Sequence, residues 1–165
     1  MKKPAFGELS HVDRKGEARM VDVSPKVSTL RIARAVGLVR MKRETQKAIT
    51  CGKNPKGSVL EVARIAGIQG AKQTAHLIPL CHPLPVENVR VDFSWAEDSD
   101  EEARLKIEAE ATVTAKTGVE MEALTAVSVA ALTVYDMTKA VDRDMVIEGV
   151  RLVEKTGGKA DFKSA

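Results

Sequence analysis

Between residues 123 and 135 the chain carries no charged side chain, although charged residues make up 30% of it. An uncharged run of that length in so charged a chain implies burial. The run is apolar nearly all round, so periodicity alone does not separate helix from strand. Its length and its Ala, Leu and Met content favour a helix, with Thr117-Gly118 as the opening turn. A helix apolar on every side must be covered on every side. Ala123, Ala126, Ser128, Ala130 and Ala131 would let another backbone come close. Charge gathers at the two ends: Glu120 and Glu122 at the start, Asp136, Lys139, Asp142, Arg143 and Asp144 at the finish. The chain therefore reads as organised around a central helix with a carboxylate pair at one end and an Asp/Lys pair at the other.

Residues 1–19 are polar and aperiodic, which predicts a mobile tail. Residues 20–23 read as a short strand or extended segment, broken by Ser24-Pro25. Residues 27–35 are ambiguous, with Arg31 and Arg34 spaced for one helical face, and 35–41 read as a strand. A short helix over 44–50 leads into turn chemistry at 51–57. Ser58 is a predicted N-cap with Glu61 in the first turn. The helix it opens is loosened at Gly67 and Gly70 and continues or bends into 71–77. Residues 78–85 form a stiff loop, because three prolines restrict it.

Alternating patterns over 89–95 and 105–115 predict two strands joined by the acidic stretch 97–102. The central helix follows, then a strand over 145–153 and a flexible basic tail over 155–159. This β, α, α, β, β, α, β order is that of the split βαβ, ferredoxin-like arrangement. The fold class is α+β, an antiparallel sheet with helices packed on one face. A single domain spans 20–159, and 160–165 form a C-terminal tail. On its other face the 105–115 strand carries Thr and Glu, for solvent or for a partner subunit.

At 165 residues one domain is expected, large enough for a real core. No apolar run approaches the ~20 residues that span a bilayer. The basic N-terminus lacks the apolar stretch of a secretory signal. Two cysteines are too few for a disulfide framework. These features predict a cytoplasmic protein without a membrane role. A net charge of +3 permits an anionic small ligand but does not argue for nucleic acid. Aromatic content of 3% weighs against a protein that stacks bases.

Several groups could do chemistry. On a helix Glu120 and Glu122 point about 200° apart. They converge only if Glu120 lies in the preceding turn or a partner approaches. Otherwise they simply complement the helix dipole. Asp136 and Lys139 form an i, i+3 pair. It is either a surface ion pair or, partly buried at a helix end, an acid–base pair with a tuned lysine. Cys81-His82 resembles no zinc pattern, since CxxC and HxxxH are absent, and no metal site is expected. The proline loop either presents His82 to a pocket or is purely structural. Lys53, Lys56, Lys155 and Lys159 lie in Gly-containing loops that permit approach to phosphate. The P-loop and Rossmann fingerprints are both missing.

Longer phrases carry a resemblance. MVDVSPK at 20–26, ARIAGIQGAKQTAHLIPLCHPL at 63–84, TGVEMEALTAVSVAALTVYDMTKAVDRDM at 117–145 and EKTGGK at 154–159 closely resemble the MoaC family. The resemblance covers residues 20 to 159. It implies a lyase of molybdenum cofactor biosynthesis that converts 3′,8-cyclo-7,8-dihydro-GTP into cyclic pyranopterin monophosphate and pyrophosphate. It also implies a homohexamer built as a trimer of dimers, with active sites at the dimer interface. A functional link to the radical enzyme that supplies the substrate follows from the same resemblance.

By motif match the catalytic residues fall on Asp136, Lys139 and Lys56. Leu80, Cys81, His82, Glu120, Met121, Glu122 and Lys155 bind substrate, with Arg31 and Asp22 as weaker matches. The family often has Asp at Ser58, Ala at Gly70, Cys at Thr138, and Ser-Gly where this chain has Ala160-Asp161. No cofactor is required by the sequence, and Mg²⁺ beside the pyrophosphate stays open. Two other readings share the fold: a nucleotide- or RNA-binding module without catalysis, and a purely structural oligomer. The charged helix ends argue against the second.

Overall fold

The computed structural model describes residues 11–12, 15–51, 57–96 and 101–164. Residues 1–10 and 13–14 of the tail expected over 1–19, the turn carrying Lys53 and Lys56, and the tip of the acidic 97–102 connection fall outside that range; in the described part of the tail Val12 and Ala18 form an isolated antiparallel bridge. The elements are β1 (Thr29–Lys42), α1 (Arg43–Thr50), α2 (Val59–Lys72), α3 (Thr74–Leu77), β2 (Asn88–Ala96), β3 (Glu102–Ala115), α4 (Glu120–Thr138), β4 (Val146–Thr156) and β5 (Phe162–Lys163). The sheet order is β2-β3-β1-β4-β5, and every neighbouring pair is antiparallel. This is the expected ferredoxin-like α+β arrangement, extended at one edge by β5.

From Thr29 onward the ambiguous 27–35 segment belongs to β1, one strand with 35–41. Strand side chains alternate with period two, so Arg31 and Arg34 lie on opposite faces rather than on one helical face. Arg31 reaches the end of β3 on the helix side, its Nε donating to the Ala115 carbonyl at 2.8 Å. Arg34 lies on the other face between Glu110 (2.6 Å) and Glu154 (3.0 Å). No strand forms over 20–23. There Asp22 Oδ1 accepts the Ser24 N–H at 2.8 Å and makes a turn.

At the other end of the chain, β4 takes in Lys155 and Thr156, which the sequence reading placed in a flexible tail. Its pairing with β5 explains the difference: Glu154 lies opposite Lys163 and Lys155 opposite Phe162.

Alternation on β3 builds the core. Ala103, Leu105, Ile107, Ala109, Ala111 and Val113 are buried beneath the helices. On the opposite face Arg40–Glu102 (2.7 Å) and Arg104–Glu148 (3.6 Å) join the Arg34 pairs in a cross-strand ladder of charge. Pairs as exposed as these contribute about 0.2–1 kcal/mol each. Ser58 caps α2 as expected, its Oγ accepting the Glu61 N–H at 3.4 Å.

Helix α2 runs unbroken through Gly67 and Gly70, and α3 follows as a separate turn. Both glycines meet α4 rather than loosen α2. A Cβ on Gly67 would stand 2.9 Å from the Ala126 carbonyl oxygen, and one on Gly70 would stand 2.8 Å from Val129 Cγ2.

The central helix α4 thus packs on the sheet and beside α2, with Ala123, Ala126, Val127, Ala130, Ala131 and Val134 fully buried. Within one chain it is not covered on every side, since Leu132 is 59% exposed. Among the charged residues beyond its end, Asp142 is the buried one. Its carboxylate accepts the Lys42 N–H (2.9 Å), the Thr45 hydroxyl (3.3 Å) and the Asp144 N–H (3.0 Å). Burial opposes its ionisation, but these bonds and the Lys42 ammonium together hold its pKa below the usual value. Asp142 thereby pins the loop after α4 to the junction of β1 and α1. Among the described residues no helix is long and apolar enough to cross a membrane.

Candidate active site

The start of α4 opens onto a two-lobed cleft. The smaller lobe, about 260 Å³, is lined by Lys26, Arg31, Gly118, Glu120, Lys155 and Lys159 among others. The larger, about 400 Å³, takes in Leu80, Cys81, His82, Leu84, Met121 and Glu122. Lys26, Thr117, Gly118 and Glu120 line both, so the lobes are continuous. No side chain caps α4 at its N-cap, Val119. Its first N–H groups and the positive end of its dipole are therefore available to an anion at the cleft.

Four cations face the smaller lobe against one carboxylate, Glu120, and that carboxylate is engaged by Lys155 Nζ at 2.9 Å. Such an excess suits a polyphosphate. Arg31 is fixed by the carbonyls of Ala115 (2.8 Å) and Lys116 (3.2 Å). Lys155 comes from the end of β4, and Gly158, Lys159 and Ala160 from the turn that follows.

The larger lobe holds the groups able to move protons. His82 Nε2 lies 2.9 Å from the Val21 carbonyl oxygen. A carbonyl only accepts, so Nε2 carries the proton and Nδ1 is the other exchange position. Glu122 is 3% exposed. Burial pushes its pKa from 4.5 up to about 6, with its own backbone N–H partly opposing the rise. Burial, and after it the Glu122 charge, also raise the Cys81 thiol.

Glu120 and Glu122 do meet at one lobe. Glu120 is the first helical residue and reaches across the mouth to Lys155, while Glu122 turns inward. Among the described residues, no three His, Cys, Asp or Glu side chains gather as a metal-ligand set.

The cleft thus brings together Arg31, Leu80, Cys81, His82, Glu120, Met121, Glu122 and Lys155. It does not bring in Asp136 and Lys139. Those two pair at 2.7 Å as their spacing predicts, but at the far end of α4, roughly 24 Å away at ~1.5 Å per residue. The sequence reading expected partial burial there; in the single chain their side chains are 61% and 53% exposed. Lys56 falls outside the described residues. Asp22 lies in the turn before the cleft and does not line it. Lys26 and Thr117 were not singled out as binding groups, and Lys159 only as one of four loop lysines able to approach a phosphate. Lys26 ends the MVDVSPK phrase and Lys159 ends EKTGGK, so the motifs held the signal.

The MoaC family profile matches residues 20–158. Three relatives bear the name cyclic pyranopterin monophosphate synthase. That from Novosphingobium aromaticivorans is 56% identical over 155 residues, covering 94% of this chain and 96% of the relative. Those from Thermomicrobium roseum and Desulfitobacterium hafniense are each 54% identical. The first covers 94% of this chain and 92% of the relative, the second 93% and 91%. With a family match across nearly the whole described fold, and relatives this similar at almost full length, the chain belongs to the MoaC family.

Proposed function

We propose that the chain is a cyclic pyranopterin monophosphate synthase of molybdenum cofactor biosynthesis. It converts 3′,8-cyclo-7,8-dihydro-GTP to cyclic pyranopterin monophosphate and releases pyrophosphate. Support comes from the two-lobed cleft, in which a cation-rich lobe adjoins a lobe holding His82 and the buried Glu122. A triphosphate fits the first, where Lys26, Arg31, Lys155 and Lys159 would offset the charge that grows as pyrophosphate leaves. A purine-derived ring fits the second, among Leu80, Cys81 and Met121. Opening and closing its C–N bonds needs proton donors and acceptors within reach, which His82 and Glu122 supply.

Asp136 and Lys139 are the proposed catalytic pair, with Lys56. Since α4 separates the pair from its own cleft, they act on substrate held by a second copy of the chain. The exposed Leu132 flank of α4 favours such a copy. The assembly proposed is a homohexamer, a trimer of dimers with active sites between subunits. It works in the cytoplasm downstream of the radical enzyme that makes the substrate. No cofactor is assigned, and Mg²⁺ would enter only with the pyrophosphate.

Purified protein supplied with the cyclic nucleotide should yield pyranopterin and pyrophosphate in equal amounts. Lys155→Ala should raise KM, with a larger loss at low salt than at high salt, because salt screens the attraction that the substitution removes. Tight binding of the nucleotide with no product would replace the enzyme by a binding module.

A further inference from the structure

The turn between β4 and β5 walls one side of the cation-rich lobe, and two side chains hold it, Thr29 from β1 and Asp161 from the turn's own end. Gly157 sits in the left-handed region at φ 79°. A Cβ there would collide with the Leu30 carbonyl oxygen. Both polar groups of Gly157 are taken by side chains. Its C=O accepts from Thr29 Oγ1 at 2.7 Å, and its N–H donates to Asp161 Oδ1 at 3.1 Å. After Asp161 comes the two-residue β5, with the Ser164 N–H reaching the Val153 carbonyl at 2.8 Å. Gly158, Lys159 and Ala160, enclosed by the Gly157–Asp161 bond, line the lobe; Asp161 does not.

We propose that Asp161 is a positioning residue for anion binding: its hydrogen bond to Gly157 closes the turn and thereby holds Lys159 and Gly158 against the lobe. The proposal rests on the phosphate reading of that lobe. It has a property that makes it testable. As a negative charge near Lys155 and Lys159, Asp161 disfavours a bound anion. As the clasp of the turn, it favours one. The two effects have opposite signs, so the direction of change on substitution tells them apart.

Inorganic pyrophosphate is the probe, titrated calorimetrically into the full chain. Asp161→Ala should weaken its binding about fivefold, the worth of one hydrogen bond. With the nucleotide substrate, KM should rise while kcat stays within about twofold, because no reacting atom is touched. Asp161→Asn keeps an acceptor oxygen and drops the charge, so it should bind pyrophosphate at least as tightly as the unaltered chain. Lys159→Ala should absorb most of the loss, leaving Lys159→Ala/Asp161→Ala little weaker than Lys159→Ala alone.

Unchanged or tighter binding by Asp161→Ala would overturn the proposal, as would an Asp161→Asn variant as weak as the alanine. Fully multiplying losses in the double variant would overturn it too, because Asp161 would then act independently of Lys159. If instead Lys155→Ala and Lys159→Ala both bind pyrophosphate normally, the phosphate reading fails and takes the proposal with it.

Discussion

Glu122 shows how one burial can act on stability and chemistry in opposite directions. Its pKa of about 6 lies above the ordinary 4.5. The folded chain therefore holds a proton more tightly than the unfolded chain does. That stabilisation is complete below pH 4.5 and is lost as pH rises through about 6, an effect of at most about 2 kcal/mol. If Glu122 accepts a proton from substrate, activity must run the other way and fall as pH drops below about 6. Glu122→Gln separates the two. Denaturant unfolding at pH 8 should show the variant more stable by up to about 2 kcal/mol, with the difference vanishing by pH 4. The acid limb of the pH–kcat/KM profile should disappear along with most of the activity. Full activity in the variant would leave Glu122 as wall rather than participant. The sequence showed two carboxylates two residues apart and nothing of this difference between them. Helical geometry sends one outward to Lys155 and the other into the core, and only the packing of the loop at 78–85 decides how dry that interior is.

Among elements, the contact of α2 with α4 sets how closely the helical layer sits on the sheet. Gly67 lies at that contact, where an added Cβ would meet the Ala126 carbonyl oxygen at 2.9 Å, with Ala130 Cβ and Val91 Cγ2 at 3.3 Å. Gly→Ala in an open helix stabilises by about 1 kcal/mol through propensity. Overpacking costs about 1–3 kcal/mol, and here the nearest atom is backbone, which cannot swing aside. Gly67→Ala should therefore lower stability by a net of up to about 2 kcal/mol in chemical denaturation. A gain in stability would mean that the two helices slide apart freely. Strands and helices with a clean period were legible in advance: β3 by its alternation, α4 by its silence, α2 by its Ser58 cap. What escaped were segments fixed by distant partners. Residues 27–35 carry no decisive period, and from Thr29 onward they become strand because β3 pairs on one side and, from Ile32, β4 on the other. Lys155 looked like tail because the Thr29 and Asp161 anchors of the turn after it lie outside the short motif around it.

For the whole molecule, the two ends of α4 pose a problem that one chain does not solve. The charged groups singled out at its start face a cleft, and those at its finish, Asp136 and Lys139, stand exposed roughly 24 Å away along the helix. The sequence placed the two sets at opposite ends of one helix but left open how both could serve one site, because a sequence match says which residues work and not which copy supplies each. If the ends serve one reaction, each site takes its α4 start from one subunit and its α4 finish from another. A C₂ interface makes that exchange reciprocal. Lys155→Ala and Lys139→Ala should then each be poorly active alone, the second by the roughly 10²–10⁴ of a lost acid or base. Unfolded together in equal amounts and refolded, they should recover about a quarter of normal turnover, because random pairing leaves about one site in four with both residues intact. Separately refolded samples, mixed only afterwards and assayed before subunits exchange, should recover nothing. Joining both substitutions in one chain and refolding it with unaltered chain gives the converse control: mixed dimers then hold two singly damaged sites and no intact one. If instead co-refolded single variants stay as inactive as the separate ones while assembling normally, each site is built within one chain. Asp136 and Lys139 would then be an exposed ion pair, and the chemistry would have to come from the cleft at the start of α4.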